Sequence, residues 1–297
     1  MLLSGEKINV SENRSVAHHR YRNPKDNCAQ QEIETCLDFC MKTRAQGDYD
    51  AVLQIGIGGS ELGPKAIYEA AKYSNEHQMR AYFLSNLDPV ILDAICKKIN
   101  PKKTLFVLVS KSGSSLETKE NFKALKNILA SELTERQFLD QTIVVTGESS
   151  PLTKLKVKAV FTFPDSIGGR FSILSPVGLI VLGLCFGPLF IKELLKGAYE
   201  MDLISFEKKL SYNPALFASC DALWNASVLG IPHLAMIPYS SILFDFCLHL
   251  QQLICESLGK NVNQYQEPIS YKTGPLLTCY PGTNAQHSFF QLLHQGS

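Results

Sequence analysis

Residues 51–60, AVLQIGIGGS, decide the fold of this chain. An unbroken apolar run that ends in glycines is typical of a buried parallel strand that leads into a helix. We predict a strand over residues 51–58 and a helix that starts at Ser60 and includes Leu62, Ala66 and Ile67. Short apolar runs of the same kind recur along the chain, which favours an α/β fold.

Four further strands are predicted, at residues 81–85, 104–110, 142–147 and 159–164. Helices are predicted at residues 30–44, 89–99 and 116–129. Apolar strands that alternate with helices indicate a parallel sheet covered on both faces. The pattern then partly restarts, with a helix at residues 213–229, a strand at 233–240, a helix at 242–257, a weak strand at 275–278 and a helix from Ala285.

The sequence therefore predicts two α/β units with parallel sheets, of which the second is incomplete. We divide the chain into an N-terminal segment, residues 1–45, a first unit, residues 46–190, and a partial second unit, residues 191–297. The chain reaches Ser297 with few strands in the second unit, so we expect a truncated sheet there.

Composition excludes several classes of function. The 297 residues carry 29 Lys+Arg against 28 Asp+Glu, a net charge of +1, so no strong attraction to nucleic acid or to an anionic membrane is expected. Hydrophobic residues make up 45% of the chain, which excludes a disordered chain. The nine cysteines include no CxxC pair, which favours reduced thiols in a cytoplasmic protein. Cys36 and Cys40 fit two buried residues better than half of a metal site.

The segment 171–191, FSILSPVGLIVLGLCFGPLFI, has no charged residue and is long enough to cross a bilayer. It also contains Pro176, Pro188 and three glycines. Helices that are apolar on all sides also occur inside large cores. We therefore predict a buried core helix, with a membrane span as the alternative.

Two loops are candidate anion sites. Gly56, Gly58, Gly59 and Ser60 lie at a strand–helix junction, where glycines let the backbone approach an anion and helix N–H groups can bind it. Packing alone is the alternative, since the loop matches neither GKS/T nor GxGxxG. The second loop, SKSGSS at 110–115, offers hydroxyls and the Lys111 ammonium to a phosphate. Its alternative is a polar turn with Ser114 or Ser115 as helix cap, beside Glu117. Together the loops favour a phosphorylated small molecule as ligand.

Three further groups carry possible chemistry. Arg170 follows two glycines and can present its guanidinium to an oxyanion or simply be a surface charge. Gln252 and Glu256 are four residues apart on a predicted helix, so they share a face, and a shielded Glu256 would make a general base. The alternative is a solvated glutamate at a helix end. His287 follows the loop at 282–286, and the spacing of the other histidines (18, 19, 77, 233, 249 and 294) indicates no metal site.

These blocks, in this order, resemble the phosphoglucose isomerase family. They are SGEKIN (4–9) with Glu12 and Arg14, IGIGGSELGP (55–64), SKSGSSLET (110–118), DSIGGRFSILSPVG (165–178), LQQLICESLGK (250–260), TGP (273–275) and PGTNAQHSFFQLLHQG (281–296). The block around Gly168, Gly169 and Arg170 resembles a family signature. Chance agreement of all blocks is negligible.

The resemblance implies two sugar-isomerase-type α/β/α sandwiches and the interconversion of glucose 6-phosphate and fructose 6-phosphate. It implies a C2–C1 proton transfer through a cis-enediolate, with Glu256 as base, Arg170 as the stabilising cation and His287 acting in ring opening from the other subunit of a homodimer. It further implies a substrate site, without metal or cofactor, that consists of Gly59, Ser60, Ser110, Lys111, Ser112, Ser115, Glu117 and Gln252. Glu117 lies where the family has a glutamate that partners the histidine.

The chain departs from the family pattern in four single positions and in length. Tyr280 stands where relatives usually have Glu, Cys279 where they have Gly, Leu258 where they have Asn, and Ala285 where they have Gly. Relatives carry further segments at both ends, and the C-terminal one holds a lysine that acts in ring opening. We expect a truncated isomerase polypeptide, with a non-catalytic sugar-phosphate-binding module as the alternative.

Overall fold

The computed structural model describes residues 5–10, 13–73, 76 and 78–296. Ser4, Glu12, His77 and Ser297, which the sequence analysis mentions, lie outside the described residues.

The main sheet has five parallel strands in the order β2-β1-β3-β4-β5. The strands are β1 (Ala51–Ile55), β2 (Arg80–Leu84), β3 (Thr104–Ser110), β4 (Thr142–Gly147) and β5 (Ala159–Phe163). All five predicted strands are confirmed, and β3 and β4 have the predicted bounds. The strand predicted over 51–58 ends earlier, at Ile55, because Gly58 turns to a positive φ of 60°.

Helices cover both faces of this sheet, as predicted. They are α1 (Asn27–Gln46), α2 (Leu62–Ala71), α3 (Pro89–Cys96), α4 (Leu116–Ile128), α5 (Glu135–Asp140), α6 (Pro176–Phe186) and α7 (Pro188–Ser205). Side chains of β3 alternate between two cores: Val107 packs with residues of α1 and α6, whereas Phe106 packs with residues of α3, α4 and α5. Alternation along a strand is what places one strand in two cores.

Helix α1 is longer at both ends than the predicted range 30–44. The Asp26 carboxylate accepts a hydrogen bond from the Ala29 backbone N–H and caps the first turn. Gly47, at a φ of 70°, ends the helix in the left-handed conformation that glycine adopts without strain. Cys36 and Cys40 are buried on the face that packs against α6, so the prediction of two buried residues is confirmed.

The apolar segment 171–191 is not one helix. Gly169–Leu174 forms a 3₁₀ segment, Ser175 caps α6 through its hydroxyl, and Gly187, at a φ of 87°, separates α6 from α7. The break follows from Pro176 and Pro188, which each start a helix but cannot sit inside one. Every residue of α6 is buried, which confirms the core helix for Pro176–Phe186.

By length and composition, Gly169–Phe186 is the one described segment apolar enough to cross a membrane, and 72% of it is buried in the protein. A single segment of this kind is weak support for a membrane span, because buried core helices pass the same test.

The second sheet has two parallel strands, β6 (His233–Met236) and β7 (Leu276–Cys279). It is accompanied by α8 (Pro214–Leu223), which continues as a π-helix over Trp224–Val228, and by α9 (Phe244–Leu258), α10 (Gly282–Gln286) and α11 (Phe290–Gln295). The strand predicted over 233–240 is shorter, and the last helix begins at Gly282 rather than at Ala285 and breaks after Gln286. The predicted boundary between residues 190 and 191 falls inside α7.

Helix α9 connects two regions of the chain. The first region contains the main sheet with α1 to α7, and the second region contains β6 and β7 with α8 to α11. Helix α9 packs along α2, and the Lys65 ammonium lies 3.1 Å from the Asp245 carboxylate, in the first turn of α9. Because the Gln251 side-chain amide donates to the carbonyl of Leu277 at 2.7 Å, α9 is also tied to β7. This helix therefore brings residues of the second region to the edge of the main sheet.

Candidate active site

The two predicted anion loops begin at the same edge of the main sheet. Strands β1 and β3 are neighbours and parallel, with Ile55 paired with Leu108, so their carboxyl ends lie side by side. The first loop continues into a 3₁₀ turn, Gly58–Ser60, and the second runs from Ser110 into α4. The carboxyl edge of a parallel sheet is where ligands bind in open α/β folds.

The main chain of the first loop contacts the main chain of the turn that contains Arg170. A Cβ placed on Gly59 would lie 2.1 Å from the carbonyl oxygen of Gly169, so only a glycine fits there. The Gln54 amide donates to the carbonyl of Ser60 at 2.6 Å and fixes the end of the loop. The packing alternative is thus realised at Gly59, while Ser60 remains partly exposed at the loop's end.

The hydroxyl groups of the second loop form two pairs. The Ser110 and Ser115 oxygens are 3.3 Å apart, those of Ser112 and Ser114 are 2.6 Å apart, and the Gly113 N–H donates to the Ser110 hydroxyl at 3.1 Å. Gly113 has a φ of 66°, which gives the loop its sharp turn. Within the described part of the chain, no side chain caps α4 at Ser115, so the capping alternative is wrong. The first N–H groups of α4 stay available to an anion.

Lys111 makes a contact that the sequence does not predict. Its ammonium donates to the carbonyls of Asp165 at 2.7 Å and Ile167 at 2.9 Å, just before the Gly168–Gly169–Arg170 turn. Arg14, from the N-terminal block, donates to the same Asp165 carbonyl at 2.7 Å. Lys111 therefore joins the second loop to the turn that carries Arg170.

Arg170 and Glu256 form an ion pair across the two regions. Nη1 of Arg170 lies 2.9 Å from Oε1 of Glu256, and Nε donates to the Ser257 hydroxyl at 2.8 Å. The guanidinium also lies 5.0 Å from the ring centre of Phe171. The Arg170 side chain is 22% exposed and that of Glu256 is 53% exposed, so Glu256 is less shielded than predicted. A half-exposed carboxylate beside a fixed guanidinium remains accessible to a small ligand.

Gln252 lies on the same face of α9, one turn before Glu256. A Cβ on Gly58 would come within 3.0 Å of its Nε2, which places the amide against the first loop. Its Oε1 is buried, and no described residue donates a hydrogen bond to it. A buried amide oxygen without a donor is costly unless a ligand or water supplies one. Gln252 and Glu256 thus share a helix face, as their spacing predicts, and both lie at the edge where the loops begin.

His287 and Glu117 are not brought to this pair. His287 is exposed at the end of the short helix α10, and Glu117 is partly buried in the first turn of α4. Among the described residues, neither is hydrogen-bonded to the other, to Arg170 or to Glu256. In this single chain His287 is therefore not hydrogen-bonded to the Arg170–Glu256 pair.

The structure adds residues for which the sequence gives no periodic signal. Ser257 holds Arg170, and Phe171 packs on its guanidinium and stacks on His18, with ring centres 4.7 Å apart. Burial, with Arg22 as a second cause, lowers the pKa of His18 to about 4, so this imidazole is neutral at pH 7. The described residues contain no group of three His, Cys, Asp or Glu side chains that could hold a metal ion.

The sheet edge, the serine-rich loop and the Arg170–Glu256 pair define an α/β protein with a candidate site for an anionic small molecule. The family model described as phosphoglucose isomerase matches residues 1–297. The chain belongs to the phosphoglucose isomerase family.

Two curated relatives illustrate the similarity. The glucose-6-phosphate isomerase of Borreliella afzelii is 41% identical over 322 residues, and that of Treponema denticola is 41% identical over 319 residues. Each alignment includes 100% of this chain and 60% of the relative. The chain thus spans about 60% of the length of these relatives.

Solved structures agree with the fold. A glucose-6-phosphate isomerase from Chlamydia trachomatis matches with a TM-score of 0.90 and 37% identity, over 96% of this chain and 57% of that one. A tagatose-6-phosphate ketose/aldose isomerase from Escherichia coli matches with a TM-score of 0.54 at 15% identity, which shows a common sugar-isomerase-type fold alone.

Proposed function

We propose that this chain interconverts glucose 6-phosphate and fructose 6-phosphate, the reaction after which its relatives are named. The observation that carries the proposal is the Arg170–Glu256 pair, with N–O separation 2.9 Å, at the edge where the two loops begin. A base and a cation side by side are what an enediolate reaction needs.

The phosphate group of the sugar would bind at the second loop. Ser110, Ser112 and Ser115 supply hydroxyls there, and the uncapped start of α4 supplies N–H groups and the positive end of a helix dipole. Ser60 would complete the site from the first loop. Lys111 would contribute positive charge while its ammonium holds the Arg170 turn.

Glu256 would transfer the proton. In the open-chain aldose, its carboxylate removes the proton from C2, the electron pair forms the C1–C2 double bond, and negative charge develops on O1. The same proton is then delivered to C1, the proton of the O2 hydroxyl passes to O1, and O2 becomes the ketose carbonyl. One proton moves from C2 to C1 and one from O2 to O1, so the ketose is an isomer of the aldose.

Arg170 would stabilise the enediolate. A guanidinium carries five N–H donors, and the contacts to Ser257 and Glu256 use Nε and Nη1. In the described surroundings Nη2 has no hydrogen-bond partner, so it can donate to the developing oxyanion. Removal of such a donor typically costs a factor of about 10²–10³ in rate.

Ring opening would require a second subunit. The family resemblance implies that His287 acts in the neighbouring subunit's site, and its exposed position, without a hydrogen bond to Glu256, supports this arrangement. We therefore propose a cytoplasmic homodimer whose substrate is a phosphorylated hexose. Metal, cofactor, nucleic acid and membrane have no part in this proposal.

A second candidate is a sugar-phosphate-binding module without catalysis. It is favoured by the absence of a described hydrogen bond between His287 and the Arg170–Glu256 pair and by the length of the chain relative to its relatives. The loops alone would account for its ligand. Binding without turnover distinguishes it from the isomerase.

The test is conversion of fructose 6-phosphate by the purified chain, coupled to oxidation of the glucose 6-phosphate formed, alongside calorimetric binding of fructose 6-phosphate. We expect Glu256→Gln to lower kcat by about 10²–10⁴-fold, because it removes the base but keeps the shape. Binding should change little. The matched control is Glu120→Gln, an exposed glutamate on α4.

Near-full turnover in Glu256→Gln would refute Glu256 as base. Binding without turnover in the unchanged chain would support the binding module instead, and absence of both would refute both candidates.

A further inference from the structure

Two thiols meet where β7 packs on α9. The Sγ atom of Cys279, the last residue of β7, lies 3.1 Å from the backbone carbonyl oxygen of Cys247 on α9. The Cys279 thiol thus lies against the residue that carries the second thiol. The nearby hydrogen bond from Gln251 to the Leu277 carbonyl, at 2.7 Å, fixes the register of helix against strand. Two hydrogen bonds between α9 and β7 therefore keep Cys247 and Cys279 next to each other.

Accessibility gives the two thiols different roles. Cys247 is 1% exposed, whereas Cys279 is partly exposed at the strand end. Cys36, Cys40 and Cys185 are buried in the core of the main sheet. A reagent from solvent thus reaches Cys279 first, and Cys247 lies behind it as the second thiol.

We propose that Cys247 and Cys279 form a dithiol site that a small-molecule disulfide of the glutathione type oxidises to an intramolecular disulfide. The proposal is independent of the isomerase activity. It concerns a covalent modification that links α9, the helix of Gln252 and Glu256, to β7.

The reaction proceeds by two exchanges. The Cys279 thiolate attacks one sulfur of glutathione disulfide, a mixed disulfide forms, and one glutathione thiolate leaves. The Cys247 thiolate then attacks the Cys279 sulfur and releases the second glutathione. Two electrons pass from the protein to glutathione disulfide, and the two thiol protons end on the two glutathione molecules.

The environment makes this exchange slow at neutral pH. Burial raises the pKa of the Cys279 thiol to about 11, with the neighbouring Cys247 as a further cause, and burial also raises the pKa of Cys247. Only the thiolate attacks a disulfide. The rate should therefore rise about tenfold for each pH unit between pH 7 and pH 9.

Cys255 is the competing thiol. It lies on α9, is partly exposed, and acts electrostatically on Cys279. No described hydrogen bond joins Cys255 to Cys279, whereas the backbone carbonyl of Cys247 accepts one from the Cys279 thiol. The geometry thus selects Cys247 over Cys255 as the second thiol.

The test uses the reduced full chain, incubated with glutathione disulfide at pH 8 without denaturant. Acid quenching, alkylation with N-ethylmaleimide and peptide mapping by mass spectrometry then locate the bonds. We expect a Cys247–Cys279 peptide pair that dithiothreitol removes. Cys279→Ser and Cys247→Ser should each abolish it, while Cys255→Ser and the exposed control Cys220→Ser should keep it.

A Cys255–Cys279 bond would overturn the proposal, and so would a glutathionylated Cys279 that never proceeds to the intramolecular bond. A second readout does not depend on any variant. The oxidised chain should unfold at a higher temperature than the reduced chain, because the bond restricts the unfolded state, and an equal temperature would count against a bond in the native fold.

Discussion

The two sheets of this chain differ in how completely they are buried. In the main sheet every residue of β1, β3 and β4 is buried, because helices cover both faces. In the two-stranded sheet, β6 has no buried residue and β7 has one, Leu277. A parallel sheet depends on covering helices, so the comparison shows that the second region makes only part of the contacts that such a sheet uses.

The side chains of the second region show the same difference. Large apolar residues between 214 and 296 are exposed, among them Phe217 at 61%, Trp224 at 57%, Tyr239 at 69% and Leu292 at 65%. Exposed apolar surface on this scale is typical of a surface that contacts another part of a protein or another subunit.

The candidate site draws on both regions. The loops and Arg170 come from the well-packed region, whereas Gln252 and Glu256 come from α9. The Lys65–Asp245 pair and the packing on α2 hold α9 in place although its own sheet is small. The position of the Glu256 carboxylate therefore depends more on the main sheet's helices than on β6 and β7.

The largest effect should come from a core phenylalanine of the main sheet. Phe106 is fully buried and stacks on Phe138 with ring centres 4.7 Å apart. We expect Phe106→Ala to lower the free energy of unfolding by about 3–5 kcal/mol. The matched variant in the second region, Phe217→Ala, should cost less than about 0.5 kcal/mol. Urea unfolding followed by circular dichroism measures both. Equal losses would show that the second region is as well packed as the first.

A smaller effect should distinguish two crowded glycines. Gly59→Ala places a Cβ 2.1 Å from the Gly169 carbonyl, which the backbone must move to relieve. We expect a loss of about 3 kcal/mol in unfolding free energy and weaker binding of fructose 6-phosphate. Gly282→Ala meets the ring of Tyr239 at 2.7 Å, but that side chain is 69% exposed and can rotate away at the loss of the hydrogen bond from Gln286 to its hydroxyl, so a smaller loss of about 1 kcal/mol is expected. Thermal unfolding of both variants checks this, and a larger loss at Gly282 would contradict it.

The smallest effect concerns acid. Burial lowers the pKa of His18 to about 4 from an ordinary value of 6.5. The unfolded chain protonates His18 more readily than the folded chain does. The stability that the neutral imidazole contributes is therefore present above pH 6.5 and is lost as the pH falls towards 4. The loss between pH 7 and pH 5 should be about 2 kcal/mol. His18→Phe, which keeps the ring on Phe171, should remove most of it.

His249 of α9 is the counterpart in the second region, since burial also lowers its pKa. Urea unfolding at pH 7 and pH 5 measures the loss of unfolding free energy on acidification. His249→Phe should remove a smaller share of that loss than His18→Phe does. A larger share would reverse the order of the two regions.

Sequence alone predicts the main sheet well because the signal there is local. Each strand is a short, largely apolar run with glycine or a polar turn at its end, and in β1, β3 and β4 burial on both faces makes the run continuous. The breaks at Ser175 and Gly187 are harder to predict, because the residues on either side are equally apolar and only Pro176 and Pro188 mark them. The sequence signal of β6 and β7 is weak for a different reason. Their partly exposed residues form neither a continuous apolar run nor a clear alternation.

The site is less predictable than the fold. The spacing of Gln252 and Glu256 correctly predicts a common helix face, but no spacing predicts that Arg170 reaches Glu256 across 86 positions. That contact is tertiary, as is the use of the Lys111 ammonium on two carbonyls. The family resemblance implies the roles of Glu256 as base and Arg170 as cation. The parallel order of the strands predicts that the two loops begin at the same edge of the sheet.

The contact between Gly59 and Gly169 has a consequence for how this site could change. Because the first loop and the Arg170 turn touch through main-chain atoms, the distance between these two segments is set by the backbone and not by rotamers. Replacement of side chains can alter affinity but leaves that distance as it is. A relative adapted to a shorter or longer phosphorylated molecule would have to gain or lose residues in one of these segments.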